Sequence, residues 1–207
     1  MDGIVLAILA FVPLFILGAY LARANFKLLF FGSVGWILAL TLRIIPLNLF
    51  QLYVRDIAIV IIYSAILAGL FEEGVRFWFV KRTKTSDLKT GLTFGLGWGI
   101  AEALVLFFPS LLLAQLPLAA SFLDLLPGIV ERYVAVLAHI SLTFIIMKGL
   151  VYREYILVAV SAHVVLDLVA GFTYYVMRLS VWQVEGLVAA YVILLATYAQ
   201  YIQKKVY

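Results

Sequence analysis

Apolar residues run through this chain in long blocks, with polar residues gathered in short clusters between them. Seven blocks each have about the 20 residues that a helix needs to cross a hydrocarbon core. They cover approximately residues 3–22, 28–50, 57–80, 90–114, 129–150, 155–177 and 183–203. The connections are short except for "AQLPLAASFLDLLPG" between the fourth and fifth blocks, which is apolar enough to lie along a membrane interface. There is no repeat, no low-complexity tract and no polar segment long enough to fold as a separate soluble domain. The pattern predicts an all-α polytopic membrane protein: one integral domain over residues 1–207, built as a bundle of seven transmembrane helices. The opening "MDGIVLAILAFVPLFILGAYLA" lacks a basic leading region and is too long for the core of a signal peptide, so it reads as a retained first helix.

Composition supports this reading. The chain is 66% hydrophobic with a mean hydropathy of +1.15, where soluble domains are nearer half apolar. Its net charge of +4 would suit nucleic acid or another anionic partner, but the basic residues are not spread as such a surface requires. Arg23, Lys27, Lys81, Arg82, Lys84, Lys89, Lys148, Arg153, Lys204 and Lys205 fall at block ends on one side. Only Arg55 and Arg178, with Arg132 just inside the fifth block, fall on the other. They are topology signals, and no nucleic-acid partner is expected. The positive-inside rule gives an outside N-terminus and a cytoplasmic C-terminus in a multi-pass cell-membrane protein surrounded by lipid. With no cysteine in the chain, disulfides, thiolate metal sites and a cysteine nucleophile are excluded.

Ionisable residues inside the blocks are expensive in lipid and demand a partner or a cavity. They are Arg43, Glu72, Glu73, Arg76, Glu102, His139, His163 and Asp167, with Glu131, Arg132 and Glu185 near block ends. At about 1.5 Å per helical residue, Glu72 and Glu73 lie roughly 10–12 Å from the basic boundary, His163 about 12 Å and His139 about 14 Å. Glu102 is deeper, at roughly 18 Å. Both histidines of the chain thus share a layer with the paired glutamates.

Within the third block, Arg76 stands i+4 from Glu72 and i+3 from Glu73, so it can lie against either carboxylate. One glutamate is then paired and the other free for chemistry, because two adjacent carboxylates resist double ionisation at low dielectric. His163 and Asp167 are also i,i+4, which lets Asp167 accept the imidazole N–H and fix its tautomer. A lone buried histidine or Glu–Arg pair usually ties helices together. Agreement in depth between Glu72, Glu73, His139 and His163 favours a water- or metal-handling site instead. Arg43 and Glu185 have no nameable partner and read as structural. Gly91, Gly95 and Gly99 have small-xxx-small spacing, which reads as close helix packing. Glu102, one turn beyond, is a possible accessory group or a structural hydrogen bond.

A glutamate and a histidine sharing one water can activate it, while a second histidine or an arginine stabilises the oxyanion. With a divalent metal such as zinc, Glu72, His139 and His163 can instead serve as ligands that leave one position open for water. Either arrangement makes a peptide hydrolase of a membrane-embedded substrate. A small-ion or proton pathway is weaker, because no block carries a repeated charged face.

"EEGVR" in the third block, His139 in the fifth and "HVVLD" in the sixth resemble the superfamily of intramembrane CAAX prenyl proteases and bacteriocin-processing (Abi-type) enzymes. The resemblance implies Glu72 as general base, sharing a water or metal with His139. It also implies that Glu73, Arg76, His163 and Asp167 orient the site and stabilise the oxyanion. "EEGVRFWFVKRTK", "GLTFGLGWGI", "LAHISLTFIIM" and "REYILVAVSAHVVLDLVAGFTYY" are in addition similar to the anterior-pharynx-defective scaffold subunit of γ-secretase. That resemblance implies seven spans and, as the alternative function, a non-catalytic scaffold assembled with a presenilin-like aspartyl protease.

Overall fold

The computed structural model describes residues 3–107 and 122–204. The end of the fourth block, most of the connection that follows it, and Lys205 lie outside the described residues.

Every described element is helical. Helix α1, Gly3–Tyr53, is broken at Asn25 (φ −163°, ψ 74°), so it supplies the first two apolar blocks as two rods. It contains Pro13 and Pro46, which membrane helices tolerate better than soluble ones. Helix α2, Ile57–Thr83, starts where the Asp56 side chain accepts from the Ala58 and Ile59 amides at 2.9 and 3.1 Å. It ends at Lys84, whose left-handed φ of 53° lets its amide close on Val80 O. Helix α3, Leu88–Glu102, opens with a reciprocal Asp87–Thr90 capping box and runs on as a π-helical turn, Ala103–Phe107. Helices α4 (Phe122–Gly149), α5 (Glu154–Gly171, continued by the π-turn Phe172–Val176) and α6 (Val181–Lys204) complete the bundle. Residues Phe122 to Gly128 therefore belong to α4, with Pro127 inside it, rather than to the connection that the polar–apolar pattern suggested.

Among the described residues, five helices are long and apolar enough to cross a membrane: Asn25–Tyr53, Ile57–Thr83, Leu126–Gly149, Glu154–Val176 and Val181–Lys204. Among the described residues the first block contributes a shorter apolar helix, Val12–Leu21, and α3 as described falls short of that length. The burial pattern is that of a membrane protein. Ile16, Tyr20, Phe26, Leu52, Leu157 and Leu194 are exposed, while Glu72, Glu73, Arg76, His139 and His163 are buried.

Glycines set how closely the helices approach. A Cβ on Gly97 would lie 2.1 Å from Leu29 O, and one on Gly32 would lie 2.2 Å from Phe94 O. Helices α1 and α3 therefore meet backbone to backbone, and the Ser33 hydroxyl donates to Gly97 O at 2.8 Å. On another face of α3, Gly91 meets Phe144 and Met147, Gly95 meets Ile140, and Gly99 meets Val136. The small-residue spacing thus packs α3 antiparallel to α4. Gly69 against Val160 and Val164, with Gly171 against Ile61, does the same for α2 and α5. Trp36, Phe94, Trp98, Leu142, Ile145 and Ile146 fill the interior around these contacts.

Candidate active site

The polar layer lies where α1, α2, α3, α4 and α5 converge. Adjacent positions on a helix point about 100° apart, so Glu72 and Glu73 reach different neighbours. Glu73, fully buried, faces α5 and its own next turn: Oε1 is 2.7 Å from His163 Nδ1, and Oε2 is 3.3 Å from Arg76 Nε. Glu73 Oε2 and Arg76 Nε are not aligned as a hydrogen bond, so that contact is chiefly coulombic. Glu72 faces α1 and α3. Its Oε1 is 2.9 Å from Arg43 Nη1, and its Oε2 accepts from Trp98 Nε1 at 3.2 Å. Arg76 consequently chooses Glu73, and Glu72 takes a second arginine from another helix.

Arg76 also fixes His139. Its Nη1 donates to His139 O at 2.7 Å and to Thr143 Oγ1 at 3.3 Å, its Nη2 lies 2.9 Å from His139 Nδ1, and its guanidinium stacks 4.4 Å from the Trp98 ring centroid. A guanidinium can only donate, so His139 Nδ1 must accept. The imidazole proton is then on Nε2, which donates to Glu102 Oε2 at 2.7 Å. Trp36 Nε1 donates to the same carboxylate oxygen at 3.1 Å, and Arg132 Nη1 stands 3.6 Å from Oε1. Arg132 is paired with Glu131 as well.

His163 is the opposite case. Glu73, held beside Arg76, is an acceptor, so His163 donates from Nδ1 and keeps the Nε2 lone pair. That nitrogen lies 4.0 Å from Glu72 Oε2 and 3.9 Å from Asp167 Oδ1. The tautomer is therefore set by Glu73 rather than by Asp167, because only Glu73 approaches within hydrogen-bond distance. The two imidazole rings are 6.1 Å apart. Glu102, His139, His163 and Asp167 line a cavity of about 100 Å³, while Glu72 does not. Its wall continues along Ala135, Leu166 and Ala170, away from the lysine- and arginine-rich helix ends.

All seven site residues read from the sequence come together. Arg43, read as structural, is a direct partner of Glu72, and Trp36, Trp98 and Arg132 were not picked out for the site. A single arginine in the middle of an apolar block was the available signal for Arg43, since such a charge demands a counter-charge. The tryptophans gave none, because indoles are common packing residues. Glu185 remains apart from the layer: its Oε2 is buried with no hydrogen-bond partner among the described residues.

The donor set fits a divalent cation. Glu72, Glu102 and His139 each offer an atom within 4.8 Å of the others, and carboxylate oxygen with imidazole nitrogen suits zinc and similar ions. Glu102 thus takes the place that sequence reading gave to His163, although the open lone pair of His163 stands at the edge of the group. A cation taking His139 Nε2 would require the ring proton on Nδ1, where Arg76 Nη2 now donates, so metal binding would have to turn that guanidinium N–H away from the ring.

No curated protein matches the chain. The family model described as YhfC intramembrane metalloprotease matches residues 5–123, which include Arg43, Glu72, Glu73, Arg76 and Glu102. That match covers more than half of the 207 residues. The chain belongs to the YhfC intramembrane metalloprotease family.

Proposed function

We propose that this protein is an endopeptidase that hydrolyses a peptide bond of a membrane-embedded or membrane-proximal substrate at the Glu102/His139/His163 layer. The observation that carries the reading is His163: Glu73 holds its Nδ1–H at 2.7 Å, and its ring, whose Nε2 lies 3.9 Å from Asp167 Oδ1, lines a cavity together with Glu102 and Asp167. An imidazole so oriented can accept a proton from an attacking water and return it to the leaving amine. Glu73, which also faces Arg76, accepts that N–H and keeps the ring in that tautomer. Asp167, 3.9 Å from Nε2 and half-exposed, can favour the protonated ring once it forms. Arg43 offsets the charge of Glu72, and Trp36 and Trp98 keep that corner dry.

Glu72, Glu102 and His139 would hold a divalent metal, with His163 next to it. Bound there, the metal supplies Lewis acidity and a water that ionises near neutral pH. The CAAX/Abi-type role for Glu72 as general base gives way in this proposal to a ligand role, since Glu72 has a donor atom within 4.8 Å of those of Glu102 and His139 but is not among the residues that line the cavity. The scaffold alternative is less well supported, because packing alone does not call for an imidazole lining a cavity. In the cell membrane the chain is proposed to cross seven times, with an outside N-terminus and a cytoplasmic C-terminus.

The test is hydrolysis of fluorogenic transmembrane peptides by purified protein in nanodiscs, with and without zinc. His163→Gln is expected to abolish cleavage while leaving the elution profile and helical content unchanged. Wild-type protein that binds zinc yet cleaves none of a broad peptide panel, or a His163→Gln variant that cleaves normally, would overturn the proposal.

A further inference from the structure

The mechanism above uses the inner cavity but not what adjoins it. A second cavity of about 380 Å³ lies at the start of α4, the end of α5 and the start of α6, lined by Pro127, Gly128, Tyr174, Tyr175 and Glu185. Glu131, Ala170 and Val188 line both cavities, so the walls run on from one to the other. These helix ends are opposite those that carry Lys81, Arg82, Lys148 and Lys204.

Charge along this route has one sign. Among the described residues, its lining includes Glu102, Asp167, Glu131 and Glu185 and no lysine or arginine. Arg132 sits behind the wall, paired to Glu131 and Glu102. Glu185 is the telling group. It is 91% buried by its 9% exposure, it lines the outer cavity, and its Oε2 has no hydrogen-bond partner among the described residues. The nearby cation is Arg132, which already serves Glu131 and Glu102, so Glu185 shares one counter-charge with two other carboxylates.

We propose that the catalytic layer is entered from the helix ends opposite the basic ones, between α4, α5 and α6. At that entrance Glu185 and Glu131 select a positively charged group, the lysine or arginine side chain of a peptide substrate. The route and its charge preference stand on the cavities alone, and only the peptide identity rests on the protease reading. A low-dielectric channel lined by one sign of charge concentrates ions of the other sign and raises their encounter rate. Tyr174 and Tyr175, half-exposed at the mouth, give the aliphatic stem of such a side chain an aromatic wall.

The absence of native cysteine makes the route directly measurable. Ala170→Cys and Val188→Cys, made separately in the full-length protein in proteoliposomes, are treated with impermeant cationic (trimethylammonium-ethyl) or anionic (sulfonato-ethyl) methanethiosulfonate. Lys84→Cys and Gln183→Cys mark the two sides. Both cavity cysteines are expected to react from the Gln183 side, faster with the cationic reagent by on the order of tenfold. Adding Glu131→Gln and Glu185→Gln is expected to bring the two rates together. Reaction only from the Lys84 side, no reaction while Gln183→Cys labels, or equal cationic and anionic rates in the parent would each overturn the proposal. None of these readouts needs hydrolysis, so a protein without proteolytic activity leaves the result intact. If cleavage is found, a peptide with lysine on this side of the scissile bond should be preferred over its glutamine counterpart. Glu185→Gln should then remove that preference, and its persistence would count against Glu185 as the selector.

Discussion

Arg76 is where the fold and the proposed chemistry depend on the same atoms, and Arg76→Met tests both. The methionine keeps much of the side-chain volume but withdraws the charge 3.3 Å from Glu73 Oε2 and the donors to His139 O, His139 Nδ1 and Thr143. Glu73 is 0% exposed, so its carboxylate cannot turn to water for compensation. Removing one partner of such a buried pair costs about 3–5 kcal/mol. In a chain of this size about 1 kcal/mol moves the melting midpoint by roughly 2–4 °C. The single variant should therefore melt about 6–20 °C below wild type in fluorescence-detected size exclusion after heating.

The double variant Glu73→Gln/Arg76→Met removes the stranded charge as well. It should recover part of the loss, with a coupling of about 1–3 kcal/mol. Nitrogen-15 spectra of His139 should change in Arg76→Met, since its tautomer would no longer be fixed by a donor-only neighbour. A single variant melting within 2 °C of wild type, or a double variant no more stable than the single, would refute the assignment of Glu73 and Arg76 as a mutually dependent pair.

Three further outcomes are expected. Gly97→Ala should destabilise by at least about 1–3 kcal/mol, since its Cβ would sit 2.1 Å from Leu29 O, whereas Gly74→Ala, with nothing within 4 Å, should be neutral or stabilise by up to about 1 kcal/mol; paired thermal melts in the same detergent decide it. Zinc binding measured by calorimetry should weaken more than tenfold in Glu102→Gln, and much less in Asp167→Asn, because Glu102 belongs to the three-donor group and Asp167 does not. Arg43→Gln should lower stability by about 1–3 kcal/mol, read by the same melts, because Glu72 is left in a nearly sealed site with only Trp98 Nε1 as a donor.

By itself the sequence determined the solvent and the titratable centre of the site, though not Arg43, Arg132 or the two tryptophans that hold it. Long apolar blocks can be stable only as helices in lipid, and a charge inside such a block must be met by another. Depth along a helix is linear in residue number, so the agreement between Glu72, Glu73, His139 and His163 was legible without coordinates. The same linearity made the glycine spacing of α3 readable as packing.

What could not be read was direction around each helix axis and who meets whom across helices. Only the tertiary structure decided that Arg76 goes to Glu73 and His139 while Arg43 crosses from α1 to Glu72. It also decided that Glu73 rather than Asp167 sets the His163 tautomer, although i,i+4 spacing pointed the other way. Spacing along one helix says which groups can meet; the distance between packed helices says which do. In α3 that distance is set by glycines whose missing side chains let Trp98 and Glu102 reach the layer. The cavity and the carboxylates leading to it are properties of four helices at once, so no stretch of the chain could have announced them.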